Sequence, residues 1–156
     1  MYMRKTVYTK VEPATVKENR RFFKRKVKVA FVKWCAYQGH LDEVLSMHEL
    51  KLAKNKGHLP EDLDIHHILP LSGTEYANVN SFSNLCVLHK KTHQRINKEI
   101  FQPQLKDICK EPYGTMKVIE VPIFDPVDTQ EILKERKKVL DKSEKRSIIL
   151  TKEGGR

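Results

Sequence analysis

Three stretches decide how this chain is read: Asp64-Ile65-His66-His67-Ile68-Leu69-Pro70, Asn84-Leu85-Cys86-Val87-Leu88, and His89-Lys90-Lys91-Thr92-His93 with Asn97 one turn further on. The first two, 64–69 and 84–88, are short, largely apolar runs and read as strands. Between them, Pro70 to Thr74 reads as a turn, and 75–83 is polar and loop-like. His89 to about Phe101 reads as a helix that Pro103 ends. Strand, long loop, strand and helix make a small α+β unit that cannot bury much surface alone.

Flanking segments supply the missing core. Residues 1–12 read as extended and exposed. Pro13 suits the first turn of a helix, where its missing N–H costs nothing. Ala14 to about Gln38 holds no Gly or Pro, and Phe22, Phe23, Val27, Ala30, Phe31, Trp34 and Cys35 recur at helical steps. Gly39 ends that helix. A second helix is expected from Leu41 to about Lys56, with Gly57 as its stop. After the central unit, Val118 to Phe124 has strand character broken by Pro122. Gln130 to about Lys145 reads as a highly charged helix with a thin stripe of Ile132, Leu133 and Leu140, and 151–156 as a disordered polar tail. Three regions follow: a basic helical part, 1–57, a central unit, 58–103, and a C-terminal extension, 104–156.

Charge is unevenly distributed. The 156 residues carry a net +10, and residues 1–33 hold eleven Lys/Arg against Glu12 and Glu18. The remainder is therefore almost neutral. A basic arm suits a polyanionic partner, either nucleic acid or an anionic membrane surface, and the histidine cluster favours nucleic acid. No apolar run is long enough to span a bilayer or to serve as a signal peptide. Cys35, Cys86 and Cys109 form no CxxC pair, which points to reduced thiols and a cytoplasmic setting.

Four of the seven histidines lie between positions 66 and 93. A neutral imidazole is the natural base near neutral pH, and a divalent cation can bind a scissile phosphate together with the leaving oxygen. On a regular strand His66 and His67 point to opposite faces, so they divide into one ligand and one base; spacing alone leaves open which is which. His93 and Asn97 share one face of a helix and could both reach a metal. His89 falls on that side at the strand–helix junction. Lys90, Lys91 and Arg95 could bind flanking phosphates, as could Arg20, Arg21, Lys24, Arg25 and Lys28 on the first helix. His40, His48 and His58 read as ordinary surface or core residues, Trp34 and its Phe neighbours as core, and Cys86 as buried packing.

The segment resembles the HNH endonuclease family, whose core is the ββα-metal fold. The matching features are His66-His67-Ile68-Leu69-Pro70, Ser72-Gly73, Asn84-Leu85-Cys86-Val87-Leu88, and His93 nine residues after Asn84. The resemblance covers about 64–98. It implies that His66 and His93 are metal ligands and that His67 is the general base. It also implies that Asn84 orients His67 through backbone-linked hydrogen bonds. Colicin-type nuclease domains, similar in this region, carry a third His where this chain has Asn97, a weaker ligand. Many family members have Cys at the position of His89, as part of a zinc knuckle that this chain lacks, which leaves His89 as an extra ligand, a phosphate contact or a junction residue.

The expectation is therefore an HNH-type endonuclease hydrolysing DNA with one divalent ion, Mg²⁺, Mn²⁺ or Zn²⁺. The basic helix would grip the backbone with little sequence preference, and RNA offers the same linkage. Stand-alone phage or mobile-element proteins and antibacterial toxins share this core, and a toxin would need an acidic inhibitor partner. The alternative from another class is a non-catalytic module in which His66, His89, His93 and Cys86 hold a structural zinc and the basic arm only binds nucleic acid.

Overall fold

The computed structural model describes residues 2–73 and 77–154, and of 77–78 and 146–154 the backbone alone. The fold is mixed α+β, with two separate two-stranded antiparallel sheets. In chain order come β1 (Tyr2–Thr9), α1 (Pro13–Phe22), a π-helical turn (Phe23–Val27), α2 (Lys28–Tyr37), α3 (Met47–Lys56), β2 (Leu63–His67) and β3 (Leu85–His89). They are followed by α4 (Lys90–Ile96), a second π-helical turn (Asn97–Phe101), α5 (Gln102–Leu105), β4 (Met116–Ile123) and α6 (Thr129–Gly154).

The centre of the molecule is β3, all five residues of which are buried. Alternation sends Leu85 and Val87 into a core with Phe31, Val32 and Cys35 of α2, Leu41, Val44, Ala53 and Ile132. Cys86 and Leu88 enter a second core with Tyr8, Ile96, Phe101, Ile119 and Val121. A strand covered on both faces tolerates apolar residues at every position, hence Leu-Cys-Val-Leu. Both cores cross the divisions expected at 57/58 and 103/104. The outer edge of β3 is also occupied: Val87 N donates to Pro126 O at 2.8 Å and Asp128 N to Val87 O at 3.0 Å. The strand that carries the hairpin is thus held from four sides.

Several elements depart from the sequence expectation. The N-terminal stretch is extended as expected, but as a strand paired with β4 over the register Tyr2↔Ile123 to Thr9↔Met116, with Tyr8 buried. Pro122 does not break β4, because each strand of a two-stranded sheet keeps a free edge where no N–H is needed. The long N-terminal helix forms, but its π turn shifts the phase, so Phe22 and Ala30 are exposed and Val32 and Ala36 are buried instead. Residues 41–45 are turns, and the helix begins only at Met47. Ser46 Oγ accepts from Glu49 N at 3.2 Å, and Ser46 N donates to Glu49 Oε1 at 2.9 Å, a complete capping box. Gly57 ends α3 at φ 66°, where an added Cβ would lie 2.7 Å from the Val29 carbonyl oxygen. Pro103 does not end its helix. The π turn finishes just before it, which puts Pro103 at the start of α5, where a missing N–H is tolerated. Of the α6 stripe only Ile132 is buried, and the helix runs on through 151–154, which were expected to be disordered. Residues 155–156 of that tail, and 74–76 of the expected loop, lie outside the described residues; the rest of the loop forms short 3₁₀ turns at Ala77–Asn80 and Phe82–Asn84. No described helix is long and apolar enough to cross a membrane.

Candidate active site

The hairpin pairs His66 with Cys86 and His67 with Leu85, so the two histidines leave β2 on opposite faces, each toward a different core. His66 is only 3% exposed. Its ring sits 5.2 Å from that of His93, edge to face, with Phe101 at 5.8 Å and Phe124 at 6.2 Å. Its Nε2 is buried with no hydrogen-bond partner among the described residues. Burial, reinforced by the His93 and His67 charges, pushes its pKa down to about 3, so the ring is neutral and offers a lone pair.

His93 reaches the same place from α4. Its Nδ1 is 3.1 Å from Asp64 Oδ2. An ionised carboxylate can only accept, so Nδ1 carries the proton and Nε2 is left with a free lone pair. A carboxylate behind an imidazole in this way fixes tautomer and ring direction for a metal on the other nitrogen. Asp64 is two residues before His66 and so lies on its face of β2. An ion about 2.1 Å from one nitrogen of each ring, at a tetrahedral angle, leaves the ring centres about 5 Å apart. The orphaned His66 nitrogen and the oriented His93 therefore fit a metal. Among the described residues no three His, Cys, Asp or Glu side chains converge as a ligand set.

His67 belongs to the other face. Phe23, at the start of the first π turn, contacts its ring edge-on at 4.7 Å. Its Nε2 is 2.9 Å from Asn80 Oδ1. Asn80 Nδ2 donates to the Asn19 carbonyl of α1 at 3.0 Å, which fixes the direction of the amide. Oδ1 must then face His67, Nε2 must carry the proton, and Nδ1 is the basic nitrogen. Burial lowers the His67 pKa, and the Asn80 hydrogen bond opposes that shift.

Asn84 does not touch the His67 ring. Its Oδ1 accepts from Leu69 N at 2.8 Å, and its Nδ2 donates to Leu69 O at 3.1 Å and Val79 O at 2.8 Å. It clamps the chain leaving β2 to the loop that carries Asn80. Together with the bond from Ile68 N to Asn84 O at 2.8 Å, this closes the end of the hairpin. The expected link to His67 is thus through backbone, and the direct side-chain partner is Asn80.

A cleft of about 290 Å³ is bordered by His66, His67, His93, Asn97 and Arg20. His89 stands apart. It is on the opposite face of β3 from Cys86, its Nδ1 accepts from Lys91 N at 3.2 Å as the cap of α4, and its Nε2 lies 3.7 Å from Asp62. Of the three readings left open for His89, this placement is that of a junction residue, since both ring nitrogens face partners away from the cleft. Arg95 lies toward α6, its guanidinium 3.5 Å from Glu131 and 3.7 Å from Glu135. Arg20, Arg21, Lys24, Arg25, Lys28, Lys90 and Lys91 are all exposed. Trp34 packs with Phe31 and Phe82, as a core residue should. Cys35 and Cys86 are buried free thiols, Cys35 being pushed up to about 12 by burial.

Asp64 and Asn80 are the site residues that the sequence reading missed. Asp64 was within reach, through the two-residue period of a strand. Asn80 lies in a polar loop with no periodic signal to mark it. The chain matches no protein-family model, no curated protein and no solved structure.

Proposed function

We propose that this protein is a metal-dependent endonuclease of the HNH type, acting on DNA through a ββα-metal unit made of β2, β3 and α4. The observation that carries the reading is the buried His66 Nε2, without a partner among the described residues, beside a His93 whose tautomer Asp64 fixes. Burying an unpaired ring nitrogen costs about 1–3 kcal/mol, which a ligand on that nitrogen would offset. His66 and His93 would hold the ion, with the Asn97 carboxamide or water completing its shell. When bound, the ion supplies charge to the scissile phosphate and the leaving 3′ oxygen.

The chain's own groups do the rest. His67, neutral and with Nδ1 free, takes the proton from water at the phosphorus. Asn80 keeps that tautomer in place, and Phe23 restricts the ring's tilt. Arg20 at the cleft and the exposed lysines of α1 and the first π turn bind phosphates, so affinity falls steeply with salt. The zinc-module alternative loses one of its ligands, since His89 turns to Asp62 and the α4 cap.

The test is conversion of supercoiled plasmid by chelator-stripped protein, with and without Mg²⁺, Mn²⁺ or Zn²⁺, beside His67→Ala. Metal-dependent cutting that His67→Ala reduces by about 10²–10⁴-fold is expected. Equal cutting by a folded, metal-loaded His67→Ala protein sinks the assignment of the base. Absence of cutting of DNA or RNA with every metal sinks the nuclease reading itself.

A further inference from the structure

The cleft at the histidines does not stand alone. On one side it shares Ile65 and His93 with a cleft of about 790 Å³, whose walls include Lys28 and Lys90. On the other side it shares Pro70, Ser72, Asn97 and Phe101 with one of about 1080 Å³, whose walls include Lys98 and Lys106. The three clefts adjoin across these shared walls in a row, here called the trough, and Arg20 borders the middle one.

Its charge is one-sided. Lys28, Lys90, Lys98, Lys106 and Arg20 are all exposed, and among the described residues none of them is ion-paired. The acids along the trough are Glu61 and Asp64, and Asp64 is engaged by His93. Arg95 and Lys138, by contrast, are held by Glu131 and Glu135 on α6. Nothing in the histidine chemistry needs Lys98 or Lys106, which border the wider cleft beyond Asn97.

We propose that this trough is the seat of one phosphodiester strand of DNA, with Lys28 and Lys90 holding the phosphates on one side of the scissile bond and Lys98 and Lys106 those on the other. The inference rests on the nuclease reading and extends it to the path of the substrate. The scale agrees. From Lys90 to Leu105 the chain is continuously helical through α4, the π turn and α5, with Lys106 as the cap that follows, so Lys90 and Lys106 lie about 24 Å apart along the axis. At one phosphate per about 3.4 Å of each strand, that distance takes about seven phosphates, so the two lysine pairs meet different ones. They therefore contribute independently to binding. Arg95, on the other side of α4, makes no contribution.

The experiment is binding of the full chain to a short DNA duplex in chelator, where nothing is cut, as a function of salt. Wild type is compared with K98E/K106E and with K137E/K142E, which changes the same charge on the exposed face of α6. Loss of two phosphate contacts lowers the slope of log Kd against log salt by about 1.8 and weakens binding about 100-fold at about 50 mM salt. The control pair should stay close to wild type. If both double variants weaken binding equally, or if wild type binds no duplex at all, the trough is not the strand path. Cleavage is read separately with metal added. A protein whose duplex binding depends on Lys98 and Lys106 but which never cuts would keep the trough and lose the nuclease.

Discussion

Two polar clusters of similar size sit about the same hairpin, and they are finished to different degrees. In one, Arg136 of α6 uses every N–H it has. Nε and Nη2 donate to Asp62 at 2.9 Å each, Nη1 and Nη2 to Glu49 at 2.8 and 3.2 Å, and Nη1 to the Val44 carbonyl at 2.8 Å. In the other, among the described residues, His66 Nε2 has no partner, and His93 and His67 each have a protein partner on one ring nitrogen only, Asp64 on Nδ1 and Asn80 on Nε2. A saturated network ties α3, the start of β2 and α6 into one piece. A network left short of protein partners has nitrogens open to a ligand or to water.

The comparison breaks most visibly at Asp64. If the open cluster is a metal site, Asp64→Asn loosens the His93 tautomer and lowers divalent-metal affinity by about 10–100-fold, read by titration calorimetry, while the fold survives. Unchanged affinity would mean that His93 does not bind the ion through Nε2. The closed cluster should answer in the opposite currency. Arg136→Met leaves Asp62 and Glu49 without their guanidinium partner, Glu49 keeping only the Ser46 N–H, and, since all three are part-exposed, should lower stability by about 2 kcal/mol in urea unfolding. Cleavage per folded molecule should not change. A large activity loss with unaltered stability would reverse the assignment of the two clusters.

Asn80 sharpens the boundary between positioning and chemistry. Asn80→Ala should cut the turnover number about tenfold, less than His67→Ala, because Nε2–H then turns to water and the ring samples both tautomers. Duplex binding should hold. Asn80→Asp, which still accepts from Nε2, should restore much of the rate, and the ¹⁵N shifts of His67 should report the tautomer in each variant. Failure of Asp to rescue would leave Asn80 as packing for the loop alone.

How much of this was legible depended on whether the signal was local. His66, His67 and His93 lie at fixed spacings on a strand and a helix, so the periods of those elements put His66 and His93 on one face and His67 on the other, while Asn84 sits in the 3₁₀ turn just before β3. Asp64 obeys the same period and was open to the same argument. The Ser46–Glu49 capping box is also a local signal, and it overrides the apolar spacing of Leu41, Val44 and Leu45, which are buried without being helical. The pairing of β1 with β4 joins residues more than a hundred positions apart, and neither strand says what it will pair with. The surroundings of Arg95 and His89 were out of reach for a related reason. Their partners, Glu131, Glu135 and Asp62, come from segments whose packing no local pattern states.

The smallest effect tests the same contrast through pH. The Arg136 hydrogen bonds and charge hold the Glu49 carboxyl below its ordinary 4.5, with burial opposing and Ser46 assisting. A carboxyl with a depressed folded-state pKa binds fewer protons than in the unfolded chain, so its stabilisation is complete above about 4.5 and is lost as pH falls through the lower folded value. Wild type should therefore lose stability as the pH is taken from about 5 toward 3 more steeply than Arg136→Met, in which Glu49 titrates much as it does unfolded. Urea midpoints at a series of pH values measure the difference. If the two proteins fall in parallel, the closed cluster contributes through its geometry and not through the charge on Glu49. Arg136 would then be replaceable by a neutral donor, whereas the open cluster depends on which nitrogen of each histidine holds a proton.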